Sequence, residues 1–226
     1  MSSILISFSG IDGAGKSTQI EKLRQYLQAQ NVSVRVLTFW DDVALFSSLR
    51  SGFSRKVLQS DGQVGSPEKP ANRNDKNSHA WPLLAGRSLL HIFDVLRLRK
   101  ITRQARKEEK ATVVIFDRYM YDQLAALPMQ RWLMRSFARA VLMVTPKPDI
   151  SYLLDAVPEE ARARKPEYPI GFMREYRKSY LALREFATLS LISASDPESV
   201  HSAIVSCLTK DVVHSPLAQV DSAVIS

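Results

Sequence analysis

The chain has 226 residues, 45% of them hydrophobic, and a formal net charge of +8. That length suits one domain with a substantial core, and no apolar run nears the ~20 residues a membrane-spanning helix needs. A single cysteine, Cys207, excludes an internal disulfide and fits a reducing, cytoplasmic setting, where it reads as a small core residue of a C-terminal helix.

Residues 4–8 read as a short buried strand that runs straight into a glycine-rich turn, so no signal peptide is expected. The turn, Gly10-Ile11-Asp12-Gly13-Ala14-Gly15-Lys16-Ser17-Thr18, fits G-x-x-x-x-G-K-[ST], a phosphate-binding loop. Residues 19–30 read as an amphipathic helix with Ile20, Leu23 and Leu27 on one face. A strand, a turn and a helix start in that order gather backbone N–H groups and the positive end of a helix dipole around one anion. Lys16 then reaches the β- and γ-phosphates of ATP, and the Ser17 hydroxyl ligates Mg2+. Gly10, Gly13, Ala14, Gly15 and Thr18 complete the expected ATP cradle, the glycines letting the backbone come close to phosphate oxygens.

Residues 32–39 alternate as a second strand, and residues 43–58 have a helical pattern. Residues 59–77 carry almost nothing apolar and read as a mobile insertion. Residues 81–106 read as a long helix, with Leu83, Leu84, Leu89, Leu90, Phe93, Leu96 and Ile101 as its apolar face. Glu108-Glu109-Lys110 makes a polar turn. Residues 112–116 form an unbroken apolar run ending at Asp117, the pattern of a strand buried on both faces of a parallel sheet. A helix at 131–145, a strand at 150–154, a helix from Pro158 and a last strand near 189–193 follow, and residues 215–226 read as a tail. This alternation predicts an α/β three-layer P-loop fold, a parallel sheet of about five strands with helices on both faces. One domain over residues 1–214 is expected. Its ligands belong at the carboxyl ends of the strands, where the phosphate loop, Trp40-Asp41-Asp42, Asp117-Arg118 and Asp155 all fall.

Asp117 has the placement of a strand-end acid that holds Mg2+, and the Arg118 guanidinium beside it matches a phosphate. Arg162, Arg164 and Lys165 close the helix that starts at Pro158, ahead of a stretch, 166–172, with two prolines and Gly171. Arginines beside a mobile segment suit a lid, here about residues 162–173, that excludes water and brings positive charge to the transferring group. Between Arg50 and Lys110 there are fourteen Lys and Arg against six Asp and Glu, so the basic excess sits in one region. That excess fits a phosphorylated small molecule, nucleic acid, an acidic surface or simply a solvated helix face.

In combination these motifs resemble the thymidylate kinase family of P-loop nucleoside monophosphate kinases, over roughly residues 4–208. The resemblance is carried by the phosphate loop with Asp12 inside it, by Asp117-Arg118-Tyr119, and by Leu153-Leu154-Asp155 through Pro158, Ala161 and Arg164. Arg174 to Leu183, Ile192-Ser193-Ala194-Ser195 with Glu198 and Val200, and Phe93 with Arg97 extend it. It implies Mg-ATP-dependent transfer to a nucleoside monophosphate, foremost dTMP, by a cytoplasmic homodimer. Lys16, Arg118, Arg164 and Asp12 are then the catalytic group, and Ser195 lies on the adenine side. Asp12 meets the sugar 3′-hydroxyl of the acceptor, which Arg97, Arg118, Tyr119, Asp41 and Asp42 also border. Gly13 leaves the phosphate loop without an arginine, so the lid supplies that charge.

The departures fall on the acceptor side. Phe39-Trp40-Asp41-Asp42 stands where the family carries a phosphate-binding arginine, and Leu96 replaces the acid before Arg97. Asp41 or Asp42 is therefore either a base toward a hydroxyl acceptor, as in a nucleoside or sugar kinase, or a helix cap. A nucleotide- or nucleic-acid-binding regulator without turnover is a third reading, opposed by the arginines of the lid and of Asp117-Arg118. Neither nucleic acid nor a membrane is an expected partner.

Overall fold

The structure is a computed structural model that describes residues 3–44, 81–107 and 112–213, with side chains from residue 90 within the second of these segments and to residue 210 in the last. The sequence expectations for 45–58, 59–77, 108–110 and 215–226 lie outside the described residues.

Five strands, β1 (Ile4–Ser9), β2 (Ser33–Thr38), β3 (Thr112–Asp117), β4 (Ile150–Asp155) and β5 (Ser190–Ser193), form one sheet in the order β2-β3-β1-β4-β5. Every pairing is parallel. β1, β3 and β4 are central and mostly apolar, because both of their faces are covered: Leu5, Ile6, Phe8, Val114, Ile115, Phe116, Leu153 and Leu154 are buried. The register sets Phe8 and Thr38 on either side of Asp117, so the ends of β1, β2 and β3 meet at one edge.

The helices are α1 (Lys16–Ala29), α2 (Trp81–Arg106), α3 (Met120–Ala125), α4 (Trp132–Val144), α5 (Pro158–Arg164), α6 (Ile170–Leu183) and α7 (Pro197–Val213). α1 packs with α7 as one group, while α2 to α6 form a second, so both faces of the sheet are covered. α1 buries Ile20, Leu23 and Leu27, as its periodicity predicts. Gln19 Nε2 donates to the Pro197 carbonyl at 2.9 Å and ties α1 to α7. Cys207 is half-buried on α7. No helix among the described residues is long and apolar enough to cross a membrane.

Two expectations change. The core-facing side of α2 is His91, Asp94, Val95, Leu98, Thr102 and Ala105, whereas Phe93 and Leu96 are exposed. The helix is rotated from the face that apolar periodicity alone selects, because buried Asp94 and His91 count as polar in that pattern. Residues 166–172 are also not one loop: α6 begins at Ile170, and Glu167 and Tyr168 are buried.

Candidate active site

The phosphate loop occupies the carboxyl edge between β1 and α1, and three of its glycines have positive φ. The geometry requires glycine most clearly at position 13, where φ is +84° and a Cβ would collide with the carbonyl of Ala161 on α5. α5 thus sits directly on the loop. Lys16 lies at the first turn of α1 and turns back over the loop, donating to the carbonyls of Gly10 (2.8 Å) and Ile11 (2.9 Å). Burial, helped by Arg118, pushes its ammonium down to about 8, while Asp12, Asp122 and Asp117 pull the other way. Ser17 and Thr18 are exposed on α1.

β3 delivers Asp117 and Arg118 to the same edge. Arg118 is a non-glycine residue at φ +71°, held there by its N–H donating to the Phe8 carbonyl at 3.0 Å. Strand alternation ends at this kink, and the guanidinium turns toward the phosphate loop. Its Nη2 pairs with Asp12, and its Nη1 stands 3.5 Å from Asp122. Burial opposes the charge on Arg118, but Asp12 and Asp122 outweigh it and hold the guanidinium well above its ordinary range. Burial lifts the Asp117 carboxyl above its ordinary range, against the pull of Arg118 and Lys16.

Mg2+ fits the donors at this edge. Ser17 and Asp117 offer a hydroxyl and a carboxylate, hard oxygens of the kind that hold this ion together with substrate phosphates and water. The desolvated Asp117 is a group that a cation would relieve.

Several expected site residues stand differently. Tyr119 is fully buried, packs its ring against Phe116 and Tyr121, and donates its hydroxyl to the Pro146 carbonyl at 2.7 Å. Its backbone is extended directly after the Arg118 kink, so its side chain enters the core instead of bordering an acceptor. Asp42 Oδ2 accepts the Thr38 N–H at 2.7 Å and closes the wide helical turn at Phe39–Val43, while Asp41 is exposed. Arg97 is half-buried on α2, the helix that packs against this turn. Arg164 is exposed and folds back on its own helix, its Nε 3.3 Å from the Glu160 carbonyl. Ser195 is exposed after β5, and Asp196 beside it caps α7 through the Ser199 N–H at 2.8 Å.

Sequence reasoning missed Asp122, and it singled out Tyr176 and Tyr180 only as part of the resemblance over Arg174 to Leu183, with no role. Asp122 is buried on α3, and Tyr180 of α6 donates to it at 2.7 Å. Also missed is the partner of Asp155: Arg177 of α6 grips this carboxylate at the end of β4 through two bonds of 2.5 and 2.7 Å. Only the aromatic spacing at 168, 172, 176 and 180 hinted at a helix face turned inward.

This arrangement can bind a polyphosphate at the loop and place two cations, Lys16 and Arg118, beside a second anion. No protein-family model matches the chain. It is 31% identical to the thymidylate kinase of Bifidobacterium longum (strain DJO10A) over 219 residues, covering 91% of this chain and 97% of that protein. It is also 31% identical to the probable thymidylate kinase of Thermococcus kodakarensis, with 91% and 97% covered. A solved thymidylate kinase structure from Candida albicans superposes with a TM-score of 0.62 at 16% identity, over 95% of this chain and 94% of that one, a likeness of fold.

Proposed function

The chain belongs to the thymidylate kinase family, and from that premise we propose that it transfers the γ-phosphoryl group of ATP to dTMP, giving dTDP and ADP. The observation that carries this reading is the meeting of Lys16 and Arg118 at one strand edge beneath the lid helix. Lys16 exchanges the Gly10 and Ile11 carbonyls for phosphate oxygens, whose negative charge offsets the cost of burying its ammonium. Arg118, held charged, spans the acceptor phosphate and the group in flight. Asp12, now paired with Arg118, takes the acceptor sugar hydroxyl. α5 brings Arg162 and Arg164 over the loop, and Ser17 and Asp117 hold Mg2+, which neutralises phosphate charge when bound. Catalysis is positioning and charge neutralisation, with no covalent step on the protein.

Asp42 spends a carboxylate oxygen on Thr38, which favours its reading as a cap over that of a base. A homodimer packed through α2 and α4 suits the exposed Ile92, Phe93 and Leu96 on one helix and Trp132, Leu133, Met143 and Val144 on the other. The two helices lie side by side, with Arg99 Nε donating to the Val144 carbonyl at 2.8 Å. One P-loop domain over residues 1–214 and a cytoplasmic location complete the reading, the latter supported by a single cysteine.

The test is ADP release with Mg-ATP over a panel of nucleoside monophosphates, nucleosides and sugars. Turnover concentrated on dTMP is the expected result. Turnover on a hydroxyl acceptor alone would overturn the assignment.

A further inference from the structure

Asp122 is a buried carboxylate at the reaction edge that the transfer described above does not use. Its side chain is 1% exposed. A carboxylate that dry is costly unless its lone pairs are taken, and here they are. Oδ2 accepts the Ser9 hydroxyl at 2.7 Å and the Tyr119 N–H at 3.0 Å. Oδ1 accepts the Tyr180 hydroxyl at 2.7 Å and faces Arg118 Nη1 at 3.5 Å. Tyr176 donates to the Asp122 carbonyl at 2.9 Å, so α6 holds this residue by two hydroxyls. Burial, then Asp122 itself, pushes both phenols well up, so they remain donors.

We infer that Asp122 is the positioning residue for Arg118, and that Tyr180 is the arm through which α6 keeps it in place. The inference rests on the proposed role of Arg118 between the two phosphates. Arg118 sits at φ +71°, a left-handed backbone conformation that is unfavourable for a residue with a side chain, so its direction has to be imposed by its surroundings. Two carboxylates do this from different nitrogens, Asp12 on Nη2 and Asp122 on Nη1. Asp12 is given up to the acceptor sugar when substrate binds. Asp122 is enclosed by protein donors, so its hold on the guanidinium persists through the reaction. Tyr180 is also the end of a column of rings, Tyr168–Phe172–Tyr176–Tyr180, with centroids 5.2, 5.3 and 4.8 Å apart, that starts in the segment following the lid helix.

The experiment is a double-mutant cycle in kcat, with KM for ATP and dTMP and the melting temperature measured for each protein. The variants are Asp122→Asn, Tyr180→Phe, Arg118→Lys, and each of the first two combined with Arg118→Lys. Expected is a loss of about 10- to 100-fold in kcat for Asp122→Asn, a smaller loss for Tyr180→Phe, and a KM for ATP within about twofold of wild type. In the Arg118→Lys background the same changes should cost less than about threefold, because the group they orient has gone. Equal fold losses in both backgrounds would overturn the inference, as would a folded Asp122→Asn enzyme with wild-type kcat. If Asp122→Asn melts below the assay temperature, the Tyr180→Phe cycle decides by the same criteria. Wild-type turnover in Arg118→Lys would overturn the role of Arg118 itself, and this inference with it. An inactive Arg118→Ala beside an unaffected, folded Asp122→Asn would overturn the positioning role alone.

Discussion

The carbonyl of Ala161 on α5 occupies the space where a side chain at Gly13 would begin. Gly13→Ala therefore meets two penalties, a φ of +84° and a collision with backbone. The first alone costs about 1–2 kcal/mol. The second is relieved only by moving α5 off the loop. The expected outcome is a lower denaturation midpoint together with a fall of at least about tenfold in kcat/KM for ATP. A variant with wild-type stability and kinetics would mean that α5 does not rest on the loop during turnover.

Lys16→Ala should leave the circular dichroism spectrum unchanged and lower kcat by about 100- to 1000-fold, the scale of losing one preorganised charge from a transferring group. The substitution also removes a buried ammonium that is costly in the ligand-free state, so no large loss of stability is expected.

The same ammonium sets a pH dependence. Its pKa in the ligand-free protein is about 8, against an ordinary value of 10.5. As pH rises through 8, free enzyme loses the charge that binds phosphate, so kcat/KM for ATP should fall about tenfold per pH unit beyond it. The kcat profile should break at higher pH, because bound triphosphate favours the charged form. For stability the sign is opposite. Between pH 8 and 10.5 the unfolded chain binds more protons than the folded one, so this group stabilises the ligand-free fold as pH rises across that window. Rate and denaturation measurements at the same pH values check both halves.

Arg162 and Arg164 should separate in their effects. Arg162 Nε is buried with no hydrogen-bond partner among the described residues, one residue from the carbonyl that covers Gly13. Arg164 has a side chain that is 45% exposed and 3.9 Å from Glu160. Buried donors find partners, and an anion on the loop would supply one for Arg162. Arg162→Ala should reduce kcat by about 100-fold and Arg164→Ala by less than about tenfold, compared at saturating ATP and dTMP. The reverse order would make Arg164 the arginine that acts on the transferring group.

Asp42→Asn should keep turnover on dTMP within about threefold and change stability little, because the asparagine amide oxygen still accepts the Thr38 N–H, whereas Asp42→Ala loses the cap and should cost about 0.5–2 kcal/mol in denaturation. A hydroxyl kinase that used Asp42 as base would lose orders of magnitude in kcat.

The phosphate loop, the three central strands and α1 were legible because each depends on local geometry. Glycine spacing, an apolar run and a 3.6-residue period are written in adjacent residues. The face of α2 was not legible, since Asp94 and His91 are buried by their neighbours while Phe93 and Leu96 are left outside. Tyr119 was misread for a related reason. The motif placed it beside Arg118, but its hydroxyl donates to the Pro146 carbonyl within the core while the Arg118 guanidinium pairs with Asp12 at the loop.

The sequence by itself determined what chemistry the chain carries: a loop that holds phosphate, an Asp-Arg pair at a strand end, and arginines on a short helix after a strand. These rest on residue type and local conformation, which a few neighbouring residues specify. Only the tertiary structure decided which of those charges meet. Asp12 and Arg118 are 106 residues apart, Ser9 and Asp122 are 113, and Asp122 and Tyr180 are 58. Their contacts follow from the strand order β2-β3-β1-β4-β5 and from α6 packing against α3. Long-range packing brings such residues together, and no local pattern encodes the distance between them.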